Sequence, residues 1–249
     1  MKILGVIPAR YASSRFPGKP LAVINGKTMI QRVFEQVKQA SKITDVIIAT
    51  DDSRIMETVS GFGGLAMLTS SSHLNGTSRC AEVFDKANTQ KPNFYDGVVN
   101  IQGDEPFIDP EQINQLCDIL IKKKAGIATL AKKIGNDDDL FNPNTVKVVF
   151  GVDGLALYFS RSPIPFIRNH DKSTWLKNAS FYKHIGIYGF AKSTLAEIVS
   201  LEPAKLELVE SLEQLRWLEN GLEITVEITD FESVGIDTPE DLEKLINKS

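Results

Sequence analysis

The residues best suited to chemistry crowd one short stretch. From Ile3 to Pro20 the chain reads I-L-G-V-I-P-A-R-Y-A-S-S-R-F-P-G-K-P, an apolar strand running straight into a loop that carries Arg10, Arg15 and Lys19. Three cations fixed beside backbone amides suit a polyphosphate. Ser13, Ser14 and Gly18 let the backbone approach oxygen atoms closely, while Pro8, Pro17 and Pro20 restrict the loop. A solvated basic loop at a domain edge is the other reading of the same residues.

Three further segments hold partners of complementary type: Thr50-Asp51-Asp52; Thr69 to Arg79 with His73, Thr77 and Arg79; and Gln102-Gly103-Asp104-Glu105-Pro106. Cations on one side and carboxylates on another suit phosphate oxygens bridged by a divalent metal, because carboxylate and water oxygens favour Mg2+. Asp104 leads as a metal ligand, with a turn or a helix cap near Pro110 as its alternative. Asp51 and Asp52, just before Ser53, read better as caps. Two phosphate motifs are excluded. Gly26-Lys27-Thr28 ends like a P-loop but has Leu21 where the first glycine belongs, and Gly18-Lys19 has Ser13 and Pro20 at the key positions. Gly61, Gly63 and Gly64 follow a helix instead of opening one, which fits helix termination and not a dinucleotide fingerprint.

These loops need elements to position them. Ile3 to Ile7, Val46 to Ala49, Leu65 to Leu68 and Val98 to Ile101 read as strands. Thr28 to Ala40, Ser53 to Ser60 and Pro110 to Lys123 read as helices, the first from Met29, Ile30, Val33, Phe34 and Val37 at helical spacing. Alternation of this kind predicts an α/β fold with a mostly parallel central sheet flanked by helices. In such a sheet the loops after Ile7, Ala49, Leu68 and Ile101 converge on one crevice. Beyond Gly126 the rhythm changes. Val146 to Phe150 and Leu155 to Phe159 flank the turn dipeptide Asp153-Gly154 and predict an antiparallel hairpin. Leu206, Val209, Leu212, Leu215 and Leu218 predict one helix ending at Gly221; Ile224 to Ile228 then returns as a strand and Pro239 opens a last helix. Residues 1–249 thus read as one compact domain with an inserted antiparallel subdomain over about 140–190.

Composition narrows the partners. The chain has 249 residues, 42% of them apolar and 24% charged, enough for one sizeable core, and a formal net charge of −4. That balance gives no general reason to bind nucleic acid or an anionic membrane. Cys80 and Cys117 form no metal or redox motif. No apolar run approaches the roughly 20 residues of a membrane span, and Met1-Lys2 leads directly into a strand, so a cytoplasmic protein without membrane insertion is expected.

The motif series as a whole resembles a known family. I-P-A-R-Y-A-S-S-R-F-P-G-K-P-L at Ile7 to Leu21, N-I-Q-G-D-E-P at Asn100 to Pro106, F-N-P-N-T-V-K-V-V at Phe141 to Val149 and A-L-Y-F-S-R at Ala156 to Arg161 are followed by three more. These are K-H-I-G-I-Y-G-F at Lys183 to Phe190, L-E-Q-L-R at Leu212 to Arg216 and G-I-D-T-P-E-D-L at Gly235 to Leu242. In this order, along essentially the whole chain, they are similar to the 3-deoxy-manno-octulosonate (Kdo) cytidylyltransferases, the CMP-Kdo synthetases of lipopolysaccharide assembly, within the glycosyltransferase-A-like nucleotidyltransferase fold. The opening motif is shared in variant form with enzymes that activate sialic acids.

The resemblance implies in-line attack of the Kdo anomeric hydroxyl on the α-phosphorus of CTP, giving CMP-Kdo and pyrophosphate. It makes Arg10, Lys19, Asp104 and Asp237 the catalytic set, with Asp104 and Asp237 holding Mg2+. Ala9, Arg10, Ser13, Arg15, Lys19, Thr77, Arg79 and Gln102 become nucleotide contacts. Gln102, Arg161, His184, Tyr188, Glu210 and Gln214 become sugar contacts, the last two one helical turn apart. Without the family, Asp237 reads as a cap before Pro239, His184 as a core histidine and Glu210 as a solvated helix charge. A homodimer is implied, with the antiparallel region at its interface. Ser72 and Ser78 depart from the family pattern, where acidic residues are common, and residues 169–180 match no motif and read as a mobile loop. A cytidylyltransferase for another keto sugar acid, of amino-Kdo or sialic acid type, and a non-catalytic nucleotide-binding protein are the alternatives.

Overall fold

The computed structural model describes residues 1–12, 16–232 and 235–246, so the expected contacts Ser13 and Arg15 lie outside the described residues. The chain divides into two compact units, Met1–Asp118 with Ser233–Ser249, and Ile119–Glu232.

The first unit is built on β1 (Ile3–Ala9), whose apolar run is buried on both faces, as a central parallel strand requires. A small hairpin, β2 (Val23–Ile24) and β3 (Lys27–Thr28), turns at Asn25-Gly26 and leads into α1 (Met29–Val37), where Thr28 Oγ1 accepts from the Gln31 amide. β4 (Asp45–Thr50) pairs with β1 in parallel from Leu4↔Asp45 to Ala9↔Thr50. α2 (Ser53–Gly61) is capped by Asp52, which accepts from Arg54 N, as the residue types before Ser53 predict. β5 (Ala66–Leu68) pairs with β4.

Next comes α3 (Gly76–Gln90), which the strand-by-strand reading of the sequence passes over. Its cap is Asn75, whose Oδ1 accepts from Ser78 N at 2.8 Å, and its buried face is Cys80, Ala81, Val83, Phe84 and Ala87. β6 (Gly97–Asn100) closes the parallel order β6-β1-β4-β5, and α4 (Pro110–Lys122) follows. All four strands run the same way, so the loops after Ala9, Thr50, Leu68 and Asn100 leave from one edge.

The second unit is mixed. β7 (Ile127–Lys133) lies at its centre. After α5 (Asp137–Phe141), β8 (Lys147–Phe150) and β9 (Ala156–Ser160) form the expected hairpin. Residues 169–180 are not simply a loop: α6 (Trp175–Asn178) sits there, and buried Trp175 packs with Ile134, Leu140 and Phe181, a core contact that orders the segment. β10 (Tyr182–Ala191) runs antiparallel to β7 with a bulge between Ile185 and Tyr188, and also pairs with β8.

After α7 (Lys192–Ser200), the single helix expected over 206–221 is instead two. α8 (Lys205–Glu210) stops at Ser211, which takes a left-handed φ of 52°, and α9 (Gln214–Glu219) starts afresh. The apolar period survives the break, but Glu210 and Gln214 are no longer one turn apart on a continuous helix. β11 (Ile224–Ile228) joins β7 in parallel, and α10 (Pro239–Ile246) belongs to the first unit. No helix among the described residues is long and apolar enough to cross a membrane.

Candidate active site

In the first unit, the Lys19 ammonium organises the charge. Lys19 opens a short helical turn, Lys19–Leu21, anchored by buried Pro20. Its Nζ lies 2.6 Å from Asp104 Oδ2 and 3.5 Å from Asp237 Oδ1, and donates to the Ile236 carbonyl at 3.0 Å. Asp104 therefore does not cap α4. Its place is set by backbone: the Asp104 carbonyl accepts from Ile236 N at 3.0 Å, and the preceding Gly103 lies so close to β1 that a Cβ there would sit 2.5 Å from the Pro8 carbonyl oxygen. Asp237 does not cap α10 either. Thr238 Oγ1 accepts from Asp241 N at 3.2 Å while the Asp241 carboxylate accepts from Thr238 N at 3.0 Å, a reciprocal cap made without the Asp237 carboxylate, which lies against Lys19.

Two carboxylates converging on one ammonium are a hard-oxygen set of the kind Mg2+ takes when substrate phosphates and water complete its shell. Among the described residues no group of three or more His, Cys, Asp or Glu gathers as a self-sufficient metal cage. The two carboxylates fit a divalent metal whose other ligands are phosphate and water oxygens.

Beside this triad runs a groove of about 550 Å³ lined by Pro8, Ala9, Arg10, Lys19, Gln102 and Asp104, with Leu74 at its edge. Arg10 donates from Nη2 to the His73 and Asn75 carbonyls. Burial, with a further push from Arg79, lowers its pKa, against the pull of Asp51. The loop supplying those carbonyls is itself fastened. His73 Nε2 meets Glu82 Oε2, which also accepts from Ser70 N at 2.9 Å. Although burial opposes it, hydrogen bonds from Lys86, Ser70 N and His73 hold the Glu82 carboxyl down at about 2.

Two expected nucleotide contacts lie elsewhere. Thr77 and Arg79 are buried in the first turn of α3, and the fully buried Arg79 guanidinium binds Asp51 Oδ2 at 2.9 Å and Thr69 Oγ1. Its visible work is to tie the loops after β4 and β5 to α3.

The second unit brings the expected sugar residues into two groups. Arg161 Nε, Nη1 and Nη2 donate to the carbonyls of Glu210 (2.7 Å), Pro143 (3.1 Å) and Ser211 (3.3 Å). The Glu210 carboxylate accepts from Ser160 Oγ at 2.7 Å and from Arg161 N at 2.9 Å. Glu210 is thus neither a solvated helix charge nor paired with Gln214; it fixes the backbone that carries Arg161.

In the other group, His184 stands between Phe159 and Tyr188, with ring centroids 5.0 and 5.2 Å away. Burial pushes the imidazole down to about 3, and burial followed by Glu213 pushes the Tyr188 phenol well above its usual range. Tyr188 packs edge-on against Trp217, and the buried Tyr188 hydroxyl and Trp217 Nε1 have no hydrogen-bond partner among the described residues. Gln214 is buried at the start of α9. Ser160, Thr129 and Trp217 are absent from the sequence-derived set; Trp217, one residue past L-E-Q-L-R, had a usable signal in its position.

Comparison with known proteins gives the class and the family of the chain. A family model described as cytidylyltransferase matches residues 4–224, which places the chain in that class. A Cytophaga hutchinsonii 3-deoxy-manno-octulosonate cytidylyltransferase is 53% identical over 100% of this chain and 98% of its own. The Thermodesulfovibrio yellowstonii protein of that name is 54% identical over 98% and 96%. A solved CMP:2-keto-3-deoxy-manno-octonic acid synthetase complexed with CTP superposes with a TM-score of 0.90 at 40% identity, covering 100% of this chain and 98% of that one. The chain belongs to the 3-deoxy-manno-octulosonate cytidylyltransferase family.

Proposed function

We propose that the protein transfers CMP from CTP to the anomeric hydroxyl of 3-deoxy-D-manno-octulosonate, releasing pyrophosphate and supplying CMP-Kdo for lipopolysaccharide synthesis. The observation that carries this reading is Lys19 held between Asp104 and Asp237 at the rim of the Arg10 groove, in a chain alike over its full length to enzymes of that name. Lys19 and Arg10 hold the triphosphate and stabilise charge growing on the α-phosphate. Ala9 and Gln102 line the nucleotide groove, Ser13 and Arg15 are further nucleotide contacts by family likeness, and Thr77 and Arg79 act from behind the groove by holding the loops after β4 and β5. Asp104 and Asp237 would hold Mg2+, which when bound would supply charge neutralisation and lower the pKa of the attacking hydroxyl. No covalent enzyme intermediate is needed.

For the sugar acid, Arg161 takes the carboxylate, and His184, Tyr188 and Gln214 take hydroxyls. Glu210 serves through Arg161. A cytoplasmic homodimer is part of the proposal, supported by the exposed apolar side chains Leu157 on β9 and Leu208 and Val209 on α8. Pyrophosphate release from CTP and Mg2+ with Kdo, an amino-Kdo analogue and sialic acid tests the activity. Release is expected with Kdo; none with Kdo would sink the reading, and preference for another acid would reassign the substrate. Light scattering of the purified protein tests the dimer.

A further inference from the structure

Thr129 stands fully buried on β7, opposite the bulge of β10, where Leu130 and Thr129 face Ile185 and Tyr188 and leave Gly186 and Ile187 as the extra residues. Bulged residues lose their ladder partners. Thr129 Oγ1 supplies replacements, lying 2.8 Å from the Ile187 carbonyl oxygen and 3.3 Å from that of Ile185. The same oxygen is 2.9 Å from His184 Nε2.

Proton counting fixes the direction of each bond. A threonine hydroxyl has one proton and two lone pairs, and a carbonyl oxygen only accepts. The hydroxyl proton goes to the bulge, so the remaining contact needs its proton from the imidazole. His184 is then the Nε2–H tautomer, and Nδ1 is its acceptor, a nitrogen that takes no partner among the described residues. Burial keeps the ring neutral down to about 3, which agrees.

We infer that Thr129 is a positioning residue of the sugar-acid site: through the β10 bulge it locks His184 as the Nε2–H tautomer, so that Nδ1 accepts a hydrogen bond from a substrate hydroxyl. The inference rests on the reading of this unit as the sugar-acid pocket. It also divides the labour there. A neutral, accepting imidazole is no counter-ion for a carboxylate, which leaves that task to Arg161, whose guanidinium meets three carbonyls and no carboxylate among the described residues.

Thr129→Val keeps the shape and removes the hydroxyl, and Thr129→Ser keeps the hydroxyl. Nitrogen NMR of the imidazoles in the free enzyme, assigned by subtraction of His184→Gln, is expected to show a protonated Nε2 and a bare Nδ1 in the parent protein and in Thr129→Ser. Thr129→Val is expected to lose that preference and to raise KM for Kdo roughly tenfold, the scale of one buried hydrogen bond, with KM for CTP unchanged and both effects restored by Ser. A protonated Nδ1 in the parent protein overturns the inference, and this spectrum decides the matter even if Thr129→Val fails to fold. An unchanged tautomer or an unchanged Kdo KM in folded Thr129→Val overturns it too. If His184→Gln itself leaves the Kdo KM unchanged, the underlying pocket assignment fails; if His184→Gln raises it and Thr129→Val does not, only the role of Thr129 falls.

Discussion

In the first unit Lys19 is compensated directly, its ammonium 2.6 Å from Asp104 and 3.5 Å from Asp237, whereas in the second the Arg161 guanidinium is held by three backbone carbonyls. Both are cations, each proposed to meet an anionic substrate, yet they start from different states. An incoming phosphate must draw Lys19 away from carboxylates, a competition that a divalent cation on those carboxylates would relieve. A carboxylate reaching Arg161 breaks no ion pair. The contrast explains why one region is dense in formal charge while the other, around His184, Tyr188 and Trp217, relies on neutral donors and acceptors in fixed directions.

The largest expected effect is on the paired side. Lys19→Ala should lower kcat by roughly 10²-fold or more, the scale of one preorganised charge contact in a transition state, measured by pyrophosphate release at saturating substrates. A rate near that of the parent enzyme would remove Lys19 from the mechanism.

The neutral side should reveal itself through acid. The folded His184 imidazole, pushed down by burial to about 3, binds no proton where the unfolded one, near 6.5, already does. Between those values the unfolded state holds more protons, so stability falls as pH falls through that window. His184→Gln should flatten the decline in Tm between pH 6 and 4; an unchanged slope would mean the ring is not held neutral.

Next in size, Arg161→Lys should raise KM for Kdo by about tenfold while leaving KM for CTP alone, because an ammonium cannot reproduce the three-way fork. A shift in the CTP value instead would erase the distinction between the two regions.

The smallest effect separates two neighbours at α10. Thr238→Ala removes the cap and should cost about 1 kcal/mol in denaturant unfolding with the Mg2+ response intact. Asp237→Asn should do the reverse, raising the Mg2+ needed for half-maximal rate with little loss of stability.

Much of the first unit was legible in the sequence because its information is local. Apolar runs define β1, β4 and β6, and the site lies in the loops that follow them. The helix α3 is masked at its start although Cys80, Val83, Phe84 and Ala87 carry its period; its capping segment, Asn75-Gly76-Thr77, looks like the end of a loop. Elsewhere the pattern itself misled. The apolar period from Leu206 to Leu218 is continuous, and nothing in it marks Ser211 as a left-handed break. The Thr129–His184 bond joins residues 55 apart through a bulge, so no spacing rule announces it. The motif series singles out His184 and Arg161 by likeness, but what holds each in place is visible only in their surroundings.

Gly103 contributes no functional group to the site, yet it acts as a gauge. The 2.5 Å left between a notional Cβ and the Pro8 oxygen means that Gly103 lies directly against the main chain of β1, and Asp104 follows on from that contact. Adding one methyl group at 103 would pry the two segments apart and carry a carboxylate out of register with Lys19, giving a protein that keeps every reactive side chain and lacks only the distance between them.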